Sequence, residues 1–341
     1  MHRDLTMNLA IGGLAAAMLC SCASTSTPTA ATTPARLWPP PPDEARISYV
    51  GELRGPQDIG ANSSAFHTVV RWFTGDTGQS RSLHKPFAIA LDENGNLCLT
   101  DTDNNQIIYA DFTHKQWRRF TGVGKTKFAS PVAVARHNGI FYVADSKLAK
   151  IFAFQDNGKS VFEITTPLQR PVGLAIAGDS LYVVDSQAHC VSVFGLDGKF
   201  QFSFGKRGDG PGEFNYPTCA TVDNQGHLIV SDTLNSRIQV FDLRGNFISQ
   251  FGSNGNTSGH FARPKGVGAD SEGHIYVIDA VFDNFQIFSN DGKLLLNVGE
   301  SGRGPGGFGL PNGIAITGDN KIYVTDCYNH RVQIFKYLNQ P

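Results

Sequence analysis

Several kinds of protein are excluded by what this sequence has little of. Lys plus Arg and Asp plus Glu nearly cancel, leaving a formal charge of −1 over 341 residues, so nothing draws the chain as a whole toward nucleic acid. Apart from Leu9 to Leu19 no apolar run is long enough to be weighed as a membrane-spanning helix, and that one is too short. There are six cysteines and no Cys-x-x-Cys, so no redox or zinc pattern is written, and no disulfide connectivity can be read. No Gly-x-Ser-x-Gly elbow and no phosphate loop occurs, and runs such as Gly208 to Gly212 read as connectors. What is plentiful is glycine, with 37 residues, as many tight turns require.

The abundant feature is a repeat. Pro311 to Phe335 contains three short strands: Asn312 to Ile316, Ile322 to Thr325 closed by Asp326, and Arg331 to Phe335. The turn residues Gly318, Asp319 and Asn320 separate the first two. Further copies open at Pro86, Pro131, Pro171, Pro217 and Pro264, spaced 40 to 47 residues apart. That period in short strands marks propeller blades and predicts six of them. Earlier copies continue into a fourth strand, such as Lys199 to Phe204, but the last does not. Ile47 to Arg54, strand-like and ahead of every copy, supplies the missing one and closes the ring. Deleting residues 47–54 is therefore expected to destabilise the whole domain.

Features present in every copy belong to the scaffold. The Asp ending each second strand (Asp101, Asp145, Asp185, Asp232, Asp279, Asp326) is expected to organise its own loop by accepting backbone N–H groups. Phe128, Phe214, Phe261 and Phe308 precede a blade-opening Pro and read as plugs between blades. Two residues past that Pro stands a small side chain in every copy: Ala88, Ala133, Gly173, Cys219, Gly266, Gly313. Cys98, Cys219 and Cys327 fill repeat slots and read as core, and Cys190 alone departs from the pattern.

The N-terminus reads as an export signal. Leu9 to Leu19 is an h-region, and Leu19-Cys20-Ser21-Cys22 resembles a bacterial lipobox with Cys22 as the lipidated residue. Ala23 follows, which by resemblance to enterobacterial sorting implies the outer membrane, facing the periplasm. The expected organisation is a signal over 1–22, a Ser/Thr/Pro-rich tether over 23–46 and the propeller over 47–341. Between closing strand and first blade, Phe66, Val69, Val70 and Phe73 share a helical face. This predicts one short helix over Ser63 to Phe73, either a lid over the mouth or a cover for the seam.

Asp326-Cys327-Tyr328-Asn329-His330-Arg331-Val332 resembles the NHL repeat, and Asp232 to Arg237 matches nearly as well. The resemblance covers roughly Ile47 to Tyr337 and implies an all-β, six-bladed propeller of NHL/TolB-like type. The family includes protein scaffolds, RNA-binding domains, sensor domains of bacterial kinases and the peptide-amidating lyase, so fold does not decide among them. In the lyase, zinc-binding histidines directly follow the blade-opening Pro. Here those positions are Phe87, Val132, Val172, Thr218, Lys265 and Asn312, so the metal triad does not carry over and no metal or other cofactor is expected. A zinc site from His84, His189, His260 and His330 is a remaining geometric option.

The second-to-third-strand loops and the blade-to-blade loops share one end of the ring, the top. The residues just before the blade-opening prolines should rim its mouth: Lys85, Ser130, Arg170, Tyr216, Arg263 and Leu310, with Lys265 one step inside. Adding the wider loops gives ten cations against four anions at this end, while Asp92, Glu93, Asp223 and Glu272 mark the other. The expected binding residues are Lys85, Arg170, Tyr216, Arg263, Lys265 and His84, with Arg170 and Arg263 as fork-like donors to an anion. No catalytic residue is expected. The first expectation is a lipid-anchored envelope scaffold or sensor, binding an envelope protein, a peptide or an anionic glycan, with no nucleic-acid partner. The alternative is a propeller lyase or hydrolase.

Overall fold

The computed structural model describes residues 36–61 and 82–338. The expected signal, Cys22, most of the tether and the helix expected over Ser63 to Phe73 lie outside the described residues. Within them, helical structure is confined to short 3-10 turns such as Pro56–Ile59 and Thr102–Asn104.

Five antiparallel four-stranded sheets and one of five strands stand around an axis. Blade 1 runs Pro86–Leu91, Leu97–Asp101, Gln106–Asp111 and Gln116–Phe120, inside to outside. Blades 2 to 5 repeat the order, opening at Pro131, Pro171, Pro217 and Pro264. Each inner strand touches its neighbour on both sides, and the last, Pro311–Ile316, touches the first. The middle strands are unbroken apolar runs, as in Ile275–Asp279, because neighbouring blades cover both faces of each sheet. Outer strands such as Phe247–Phe251 are largely exposed.

The plugs lie where the repeat placed them. Phe214 packs against Phe204 and Phe241, Phe261 against Phe288, and Phe308 against Phe285 and Phe335. Each ring sits on a glycine in the left-handed region. A Cβ on Gly205, Gly252 or Gly299 would lie 2.4 to 2.5 Å from its Phe, so sterics and backbone both require glycine. The small slot two past the Pro has a similar cause. A Cβ on Gly266 would meet the Asn312 carbonyl at 2.4 Å, and one on Gly313 the Phe87 carbonyl at 2.7 Å. The inner strands approach each other backbone to backbone there.

Blade 6 is closed by the N-terminal segment. Ile47–Leu53 pairs antiparallel with Arg331–Tyr337, from Ile47 opposite Tyr337 to Leu53 opposite Val332. The boundary of the domain needs correction. Residues 36–46, expected in the tether, pack on the propeller, and Leu37–Trp38 adds a fifth strand beyond Ile47–Leu53. The reason is Trp38, whose buried ring meets Phe335 edge-on at 5.6 Å and covers Gly306.

Candidate functional site

The six second-strand aspartates are fully buried and fix the top mouth. Their carboxylates accept backbone N–H groups from the residues just ahead of each blade-opening Pro: His84 and Lys85 on Asp101, Ala129 and Ser130 on Asp145, Gln169 and Arg170 on Asp185, Ala262 and Arg263 on Asp279. Asn215 and Gly309 donate to Asp232 and Asp326. The aspartates thus organise more than their own loops. In blades 1, 2, 3 and 5 the carboxylate pins the backbone of the rim residue itself, in blades 4 and 6 that of the residue before it, and these backbone donors satisfy the buried acceptor. Tyr216 is held differently. Its φ of 50° is left-handed, its N–H donates to His189 Nδ1, and its ring lies edge-on to His189 at 4.6 Å.

Inside this rim a cavity of about 800 Å³ runs down the axis. Arg170, Tyr216, Arg263 and Lys265 line it together, as expected, along with Ser130. Burial first, then the nearby guanidinium groups of Arg263 and Arg170, hold the Lys265 ammonium below the usual lysine range. Among the described residues no carboxylate pairs with any of these three cations. Lys85 and His84 stand apart from them. The Lys85 ammonium sits 3.9 Å from Asp103 and over the Tyr328 ring, and the His84 carbonyl accepts from His330. Neither lines the cavity.

Below the cations the walls turn apolar. Phe87, Val132 and Val172 lie just inside the mouth, and Leu174, Ile176 and Val222 further down, all half-exposed. The far end is polar but internally matched. Arg136 pairs with Asp92 at 2.8 Å and Asp156 at 3.0 Å, and His137 meets Glu93 at 2.8 Å. The acidity expected there is therefore partly neutralised, as is the wider cationic excess at the top, where Lys206 pairs with Glu213 at 3.2 Å.

Sequence reasoning missed the apolar part of the top face. Leu234, Val281 and Tyr328 are exposed there beside Tyr216 and Leu310. The signal was available, since all three stand two residues past a second-strand Asp, a slot holding Asp103, Lys147 and Gln187 in the other blades.

The histidines do not converge on a metal. His189 Nδ1 accepts from Tyr216 N–H beside the Phe214 carbonyl, His260 bonds Thr257, and His330 meets His84 O. Among the described residues no group of three His, Cys, Asp or Glu is arranged around a common point. Burial pushes the thiols of Cys98, Cys190, Cys219 and Cys327 up, the last to about 12, so none is a ready thiolate at neutral pH.

Fold and axial cavity define the class, a six-bladed β-propeller. The family described as "6-bladed beta-propeller" matches residues 165–230, and the NHL repeat matches residues 308–335. The chain is a propeller that carries the NHL repeat. Comparison with curated protein sequences returned no match. Among solved structures it is similar to a streptogramin B lyase, with 14% identity, TM-score 0.56, and 75% of this chain and 94% of that one covered. Virginiamycin B lyase from Staphylococcus aureus is similar at 14% identity and TM-score 0.56, covering 77% and 83%. A protein of unknown function from Bacteroides thetaiotaomicron is similar at 16% identity and TM-score 0.56, covering 75% and 70%. At these identities the likeness is one of fold.

Proposed function

We propose that this propeller is a non-catalytic binding domain of the bacterial envelope, a scaffold or sensor that takes an anionic group of a protein, peptide or acidic glycan at its top mouth. The observation that carries the reading is the trio Arg170, Arg263 and Lys265, three like charges around one concavity with no carboxylate among them. Like charges gathered at a partly dry mouth raise each other's free energy, and a bound carboxylate or phosphate relieves that cost. Guanidinium groups entering from blades 3 and 5 suit two-pronged recognition of such a group. Replacing both Arg170 and Arg263 with Glu should weaken binding of a hexaglutamate peptide and of polygalacturonate more than tenfold at low salt, while the melting temperature stays nearly unchanged. Binding that survives the double reversal, under conditions where any electrostatic contribution is largest, would remove the mouth as the site.

The envelope address rests on the lipobox-like Leu19 to Cys22 and the Pro-rich stretch behind it. Cys22→Ser should shift the protein from the membrane fraction to the soluble periplasmic fraction. Retention in membranes would refute lipidation at that residue.

A propeller lyase or hydrolase is the second reading, favoured by the two lyases among the structurally similar proteins. Against it stand the protonated thiols and the absence, among the described residues, of a carboxylate pairing with the three cations. The His227–Asp223 and His274–Asp270 pairs resemble acid–base pairs. They recur in the same first-to-second-strand turn of consecutive blades, which marks them as turn chemistry.

A further inference from the structure

We infer that the ligand is an amphiphile: an anionic head group held by Arg170, Arg263 and Lys265, with an alkyl tail running down the axial channel. The inference rests on the anion-binding reading above and extends it to the rest of the cavity. A site for a small anion alone needs only the mouth. Here the cavity continues to about 800 Å³, the size of a pocket for a sizeable molecule. The chemistry of its wall changes with depth in the order an amphiphile would require. The cations come first. The level of Lys265 is mixed, with Phe87, Val132 and Val172 beside Thr218 and Asn312, and below it come Leu174, Ile176 and Val222, each with apolar surface left uncovered by its neighbours. Uncovered apolar surface in a concave channel is unfavourable to hydrate and favourable to fill. The tube cannot collapse to hide it, because at Gly173, Gly266 and Gly313 the inner strands already touch backbone to backbone.

The geometry also sets a length. From the residue after the blade-opening Pro to the level of Leu91 and Ile176 is four steps along a strand, about 13 Å. An extended alkyl chain with ordinary carbon–carbon bonds spans that distance with ~10 carbons. At that level and just past it, the Asp92–Arg136 ion pair, at 2.8 Å, and the Glu93–His137 pair interrupt the apolar wall and offer nothing to a methyl terminus.

Calorimetric titration of the purified protein with butyrate, octanoate, decanoate, dodecanoate and tetradecanoate, each below its micelle concentration, tests this. Affinity should rise about threefold to fourfold per added methylene and stop rising near ten to twelve carbons. A parallel titration with dodecyl phosphate separates the two sources of such a ligand. Tighter binding than dodecanoate assigns a lipid phosphate, and weaker binding a fatty acid. Val132→Trp, which adds bulk just below the mouth and leaves every cation in place, should abolish the dependence on chain length while short anions still bind. An affinity independent of chain length, but still lost in the Arg170→Glu, Arg263→Glu variant, would overturn the alkyl-chain assignment and leave the anion site standing. Failure of every anion in the series to bind would overturn both.

Discussion

Replacing Arg331 with methionine should cost the domain about 3–5 kcal/mol, the range measured when one partner of a buried ion pair is removed. The Arg331 side chain is 2% exposed and reaches four groups. Its Nε donates to Asp326 at 2.8 Å, one terminal nitrogen to Glu52 at 2.7 Å, and the other to the carbonyls of Gly304 and Gly307 at 2.9 and 2.7 Å. One guanidinium thus ties blade 6 to its own loop Asp, to the incoming N-terminal strand and to the preceding linker. Methionine fills much of the volume but takes from the fully buried Asp326 its cation, leaving the neutral donors Gly309, Asn329 and Gln333. Arg237 holds the equivalent slot in blade 4, where it binds Asp232 at 2.8 Å but spans no seam, so it is the matched control for position. The pH dependence has a definite sign. Burial raises the Glu52 carboxyl, but hydrogen bonds from Arg54 and Arg331 outweigh it and hold the group below the usual range. A depressed folded-state pKa gives stability that is present above the unfolded value and is lost as pH falls through the folded one. Urea titrations of wild type should weaken toward acid, and those of the Arg331→Met variant should weaken less. A loss below about 1 kcal/mol at neutral pH would place this network among ordinary surface pairs.

A chain lacking residues 36–53 should fail to hold a closed ring at room temperature. The truncation removes the outer strand of blade 6 and three buried side chains, Trp38, Ile47 and Leu53, and it uncovers Phe335 and Arg331. At about 1.5–3 kcal/mol each, those side chains alone account for about 5–9 kcal/mol, comparable with the entire stability of a typical domain, about 5–15 kcal/mol. Removal of residues 1–35 alone should leave the melting temperature where it was. A synthetic peptide spanning 36–53, added to the truncated chain, should restore a cooperative melt. A truncated protein melting within a few degrees of the intact one would show that the seam contributes little.

The fold was legible because a blade demands the same residues each time. Pro opens the inner strand, a small residue sits where inner strands touch, Asp ends the second strand, and Phe, in four of the six copies, or Leu fills the gap to the next blade. Six copies separate these requirements from chance, and the count of strands pointed to Ile47–Leu53 as the closing piece. Trp38 escaped because the prolines after it dominate the composition of that stretch, while a single ring dropping onto Phe335 decides its position. The mouth was legible in register but not in side-chain direction. Arg170, Arg263 and Lys265 turn into the channel, whereas Lys85 finds Asp103 and the Tyr328 ring, partners that only the folded top face brings near. The charge count overstated the excess for the same reason, since Lys206 is spent on Glu213.

The closing strand has a consequence for synthesis. Glu52 and Arg331 are 279 residues apart in sequence, so the strand that emerges early from the ribosome has no partner until nearly the whole chain has followed. At about 5–20 residues per second that interval is on the order of 14–56 s. During it Ile47–Leu53 is an unpaired, apolar edge, and the five complete blades form an open arc with inner strands exposed at both ends. The ring therefore closes only once Arg331–Tyr337 has also become available. The early strand must therefore avoid mispairing for that whole interval.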